Sequence, residues 1–156
     1  MAQRCGMEVG MEQQRWEVLD LEVGKVVCDS YVEGVRVLVM RGPSALCAYC
    51  GVPSKHPLAG HGYDNLTIDC HGGLTFAKEG EKDSGWPEGF YWYGWDYSHS
   101  GDRATYDYKY PSRLDRNEKE WTIKEVVDEA HWVAYSFARL MRLAETIASK
   151  AMGWKP

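Results

Sequence analysis

At 156 residues, with 44% hydrophobic and 26% charged side chains, the chain has the size and composition of one domain with a real core. Its net charge of −5 argues against a DNA or RNA partner, which needs a basic surface, and no apolar run approaches the length of a membrane span. The five cysteines, an odd number, do not suit a disulfide framework, so reduced thiols are expected.

Residues 1–15 are polar with scattered Met and Gly and read as a loose lead-in. They lack the apolar core of a signal peptide, which points to the cytoplasm. Residues 16–23 carry β-type side chains and are read as a strand, although Val18, Leu19 and Leu21 break strict alternation. Val35-Arg36-Val37-Leu38-Val39-Met40 is the clearest strand. The Glu33-Gly34 pair before it predicts a turn, with residues 26–32 as the hairpin partner. Arg41-Gly42-Pro43-Ser44 closes that strand, and residues 45–52 form a further short extended piece.

Residues 53–65 hold two prolines, three further breakers and two histidines. A loop this long in a compact domain is more often functional than not. Residues 66–71 alternate, which sends Leu66, Ile68 and Cys70 to the core and places Thr67, Asp69 and His71 on the other face. Gly72-Gly73 turns the chain, residues 74–77 return as a strand, and residues 78–89 read as an exposed charged loop. Residues 90–97 are a dense aromatic strand with one face buried, followed by a Tyr-rich polar connection over 103–116. The last element is a helix. Thr122 and Glu125 form a capping box, and Val126, Ala130, Val133, Phe137, Leu140, Met141, Ala144 and Ile147 recur at helical spacing before Gly153 stops it. The fold class is therefore α+β: a mostly antiparallel sheet with one long C-terminal helix packed on a face, in a single domain spanning 1–156.

Three constellations carry chemistry. Cys47 and Cys50 have the spacing of a zinc knuckle, but no second such pair exists, and adjacent Cys70 and His71 point to opposite faces of a strand. Zinc is disfavoured against half-buried thiols, and neither metal nor other cofactor is expected. The second constellation is acid–base: His71 or His99 as base or acid, oriented by Asp69, Asp96 or Asp102. The plainer reading of the same side chains is that they knit loops together. The third is ligand binding. Tyr63, Trp92, Trp95 and Tyr97 offer faces for stacking. Gly72 and Gly73 offer amides to an anion, with His71 and Arg103 beside them and Arg41, Lys55 and Lys78 nearby. His56 and Asp64 complete the lining. Half of the rings must nevertheless be core. A Walker A loop, a dinucleotide fingerprint and a kinase signature are absent.

Gly51-Val52-Pro53, His56-Pro57-Leu58, Gly60, Tyr63-Asp64, His71-Gly72-Gly73-Leu74-Thr75-Phe76, Trp92-Tyr93-Gly94-Trp95-Asp96, His99 and Gly101-Asp102 together resemble an uncharacterised family of small phage and bacterial proteins. The resemblance covers roughly the middle third of the chain. It implies a phage-carried protein working in the bacterial cytoplasm, a setting in which small proteins sequester or degrade nucleotide-derived defence signals. On that setting the leading expectation is an anti-defence sponge that holds a nucleotide-like ligand, such as a cyclic nucleotide or an ADP-ribose derivative. A pocket shared between subunits of a homo-oligomer suits such a role. The alternatives are a small hydrolase or phosphodiesterase using the His/Asp set, and a protein-binding inhibitor using residues 78–89. The first two require His56, Asp64, Asp69, His71, Asp96, His99 and Asp102 to converge.

Overall fold

Val26–Val32 (β1) and Val35–Arg41 (β2) form an antiparallel hairpin closed by Glu33 and Gly34, at φ 47° and 84°. A two-residue turn that follows the strand twist needs positive φ at both positions, so the turn lies where the dipeptide predicts it. The computed structural model describes residues 15–110, 112, 114, 115 and 117–156. All but the last residue of the expected lead-in lie outside that set.

Leu46–Pro53 (β3) pairs with β2, Phe90–Asp96 (β5) with β3, and Phe76–Glu79 (β4) with β5. The result is one antiparallel sheet in the order β1-β2-β3-β5-β4. Ile123–Met152 (α1) lies on one face of it. Thr122 caps α1 in a capping box with Glu125, and Gly153 ends it at φ 64°. Val126, Ala130, Val133, Phe137 and Met141 meet Val35, Val37, Val39, Cys50, Tyr93 and Trp95 in one core. The Tyr93 and Phe137 rings stack 5.4 Å apart. Among the described residues no helix is long and apolar enough to cross a membrane.

The alternate residues of the aromatic strand are covered as well. Trp86, from the loop before β5, lies against Tyr49, Phe76 and Trp92, and the Trp92 indole N–H donates to the Pro87 carbonyl. Both faces of β5 are therefore buried, where the sequence predicts one.

Other expectations need correction. Residues 16–23 form no strand: Glu17–Asp20 is a single 3₁₀ turn that buries Val18, and Trp16 donates its indole N–H to the Trp121 carbonyl. Residues 66–71 pair with no strand, and β4 lies along the edge of β5. The expected return strand at 74–77 starts later, at Phe76. Ile147 is 67% exposed, off the buried stripe of α1.

Candidate active site

Asp102 is the anchor of the site. Residues 101–103 run beside Lys119: Lys119 N–H donates to the Gly101 carbonyl and Arg103 N–H to the Lys119 carbonyl, both at 2.8 Å. This pairing carries Trp121 over Asp102, whose side chain is 4% exposed. The two carboxylate oxygens take three hydrogen bonds. The Trp121 indole N–H donates to Oδ1 at 2.8 Å, and the His99 backbone N–H (2.9 Å) and His71 Nε2 (2.6 Å) donate to Oδ2. Burial works to raise the Asp102 pKa, but the bonds from His71, His99 and Trp121 outweigh it and hold the carboxyl below its ordinary range.

His71 enters from a turn. The Gly73 N–H donates to the Cys70 carbonyl, and Gly72 and Gly73 both have positive φ. Glycine is required at 72 twice over: its φ is 69°, and a Cβ there would lie 2.3 Å from His99 Nε2. From α1, the Glu129 carboxylate accepts the His71 backbone N–H at 2.7 Å. The His71 ring stacks parallel on Tyr97 at 4.8 Å and meets Trp121 at 4.8 Å. It is thus fixed by a turn, a helix, a carboxylate and two rings.

Because a carboxylate at 2.6 Å can only accept, the His71 proton sits on Nε2. Among the described residues nothing bonds to Nδ1, and that atom is not sealed from solvent. His71 lines an open groove of about 590 Å³ together with Asp69, Cys70, Asp128, Glu129, Trp132 and Ser136. Trp132 is 75% exposed there. Three carboxylates, of which Asp128 is paired with Lys124, against one imidazole leave the groove net negative, hostile to phosphate and hospitable to neutral or cationic groups. Burial, with Glu129 and Asp69, pushes the Cys70 thiol pKa up to about 12, away from the thiolate form.

Of the seven polar residues expected to converge, five do. His71 and Asp102 form the dyad, Asp69 lines the groove beside them, and the His99 ring lies 5.5 Å from that of His71 with Asp96 behind it. His99 Nε2 is sealed 3.4 Å from Asp96 Oδ1, near enough for attraction but not aligned as a hydrogen bond. His99 and Asp96 therefore hold the turn and do not reach the groove, which corrects their expected role as acid or base. His56 joins another cluster: it contacts Glu145 at 2.9 Å, the Leu58 N–H and the Trp154 ring. Tyr63 and Asp64 are exposed on the 3₁₀ turn Tyr63–Asn65, apart from the groove lining.

The stacking platform is corrected too. Trp92, Trp95 and Tyr97 are 0%, 1% and 1% exposed, so their rings offer no free face. Burial is the cause: β5 is covered on both sides, and Tyr97 accepts the Trp95 indole N–H at 3.1 Å. The Gly73 N–H is already spent within its own turn. Arg103 is engaged by Glu118, Glu120 and the Tyr108 ring. Cys47 and Cys50 lie three apart on β3, so alternation sends them to opposite faces: Cys50 is in the core opposite Val37 and Tyr93, and Cys47 is opposite Met40 and Asp96. They cannot share an ion in this conformation.

Trp121, Glu129 and Trp132 were not expected at the site from the sequence. The signal for Trp132 was present, since a tryptophan off the apolar stripe of an amphipathic helix is conspicuous. Comparison of the chain with protein-family models, with curated proteins and with solved structures finds no match.

Proposed function

We propose that the protein is a small hydrolase in which His71 acts as general base on a neutral or cationic organic substrate held in the acidic groove. The observation that carries this reading is the His71–Asp102 pair. One imidazole nitrogen is tied to a buried, ionised carboxylate at 2.6 Å, the other has no partner among the described residues, and the residue lines a concavity. A water gives up a proton to Nδ1 as its oxygen bonds to the electrophilic carbon of the substrate, Asp102 stabilises the imidazolium that forms, and the imidazolium returns the proton to the leaving group as the bond to that group breaks. Asp69 and Glu129 attract a positive group, and the exposed Trp132 offers a face for an apolar or cationic one.

The test is turnover of a panel of neutral and cationic esters, amides and glycosides. The expected result is hydrolysis that falls about 10²–10⁴-fold in His71→Ala and Asp102→Asn. Hydrolysis of none of them, or equal rates in His71→Ala, would sink the reading.

A second reading, capture of a nucleotide-like defence signal without turnover, is favoured by one observation. Among the described residues no hydroxyl or thiol bonds to His71, so no covalent nucleophile is paired with the base. The resemblance to small phage proteins supplies the setting for it. Recovery of a stoichiometric ligand intact after heat denaturation favours capture, and multiple-turnover loss favours the hydrolase. The carboxylates of the groove weigh against seating a phosphate there. Binding of a host protein through residues 78–89 stands behind both readings, since Trp86 of that segment is used in packing.

A further inference from the structure

A second concavity, of about 1180 Å³, shares no lining residue with the His71 groove. Its described lining includes the cations Arg15, Arg41, Arg103 and Lys109 and one carboxylate, Glu120. In a chain of net charge −5 this is a local reversal of sign. Most of these charges are spoken for. Arg103 and the Tyr108 hydroxyl both engage Glu120, and Arg15 lies 3.3 Å from Asp20.

Arg41 is different. It is 7% exposed, and among the described residues no carboxylate reaches it. Its Nε donates to the Val18 carbonyl at 3.3 Å, one terminal nitrogen to the Gly42 carbonyl and the other to Thr105 Oγ1 at 2.9 Å. All three acceptors are neutral. A guanidinium has five N–H groups, so two remain, and its charge is uncompensated. Removing one partner from a buried ion pair is strongly destabilising, so buried charges are ordinarily paired. Arg41 lines a cavity large enough for a small ligand. Lys109 is exposed and likewise meets no carboxylate among the described residues, and Tyr106, 49% exposed, lines the same cavity.

We infer that this concavity is a binding site for a phosphate ester carrying a flat ring, with the phosphate on Arg41 and Lys109 and the ring against Tyr106. The bidentate fork of arginine matches a phosphate, and an exposed tyrosine face accepts any flat heterocycle. The site stands independently of the acid–base reading.

The test is calorimetry of the full chain with AMP, adenosine and inorganic phosphate. The expected result is saturable, salt-sensitive binding of AMP, tighter than either fragment. Arg41→Gln weakens it about 10–100-fold. Because Arg41 also holds Val18 and Thr105, the rim variants Lys109→Gln and Tyr106→Ala guard against misfolding. Each should weaken AMP binding about 3-fold or more without lowering the unfolding temperature. His71→Ala should bind AMP as the wild type does. The inference is overturned by no saturable AMP binding at millimolar concentration, by AMP binding no tighter than adenosine, by unchanged affinity in both rim variants, or by loss of binding in His71→Ala.

Discussion

Asp102 accepts from three donors contributed by three separate stretches of chain, and removing its charge weakens the whole set. Asp102→Asn turns one acceptor oxygen into an N–H₂ that faces a donor, so it should cost about 1.5–3 kcal/mol in urea unfolding and release the His71 tautomer. Gly72 is constrained as tightly. Gly72→Ala must hold a Cβ at positive φ and push it into the His99 ring, a loss of at least about 1–2 kcal/mol on the backbone alone, the size of the left-handed penalty. Thermal unfolding of that variant checks the figure. Cys70 supplies a chemical check of the same pocket. With its thiol held up at about 12, it should react with iodoacetamide at pH 8 far more slowly than in the unfolded chain. Rapid native labelling at Cys70 would contradict the environment described for His71.

At the scale of elements, what was legible in the sequence was local. The β1–β2 hairpin rests on Glu33-Gly34, and α1 rests on a capping box and a 3.6-residue stripe, all within a few residues of each other. Thr122→Ala should therefore cost about 1 kcal/mol, read from urea midpoints. The stretch at 66–71 shows the other side. Its alternation is real, and Leu66, Ile68 and Cys70 do pack on the core. Whether such a stretch joins a sheet depends on a free strand edge, which no local pattern encodes. The dyad itself lies between these cases. His71 and Asp102 were named from residue type, but the Glu129 contact that fixes His71 spans 58 residues and is set by how α1 crosses the sheet. The buried rings of β5 were misassigned as a platform because composition cannot tell a ring under Trp86 from a ring awaiting a ligand.

Across the whole molecule, charge is segregated: an acidic groove at His71 and a cationic concavity at Arg41, within a chain of net charge −5. Several carboxylates hold the fold through their ionised forms. Arg36 lowers the Asp29 pKa by a hydrogen bond, and the Thr122 N–H with Lys119 lowers that of Glu125. Asp102 is lowered despite its burial. A carboxyl depressed in the folded state stabilises above its unfolded pKa, about 4, and that stability is lost as pH falls through the lower folded value. These carboxyls should thus make stability decline as pH falls below about 4. In Asp102→Asn the acid decline should be shallower, as circular dichroism against pH would read.

The central claim is that His71 performs chemistry in its groove. Untargeted mass spectrometry of bacterial extracts incubated with catalytic amounts of protein addresses it directly, because every small molecule in the extract competes as a substrate. The wild type is expected to consume at least one neutral or cationic small molecule over many turnovers, and His71→Ala is expected to leave that molecule untouched. An extract unchanged by the wild type, or changed equally by His71→Ala, would contradict it.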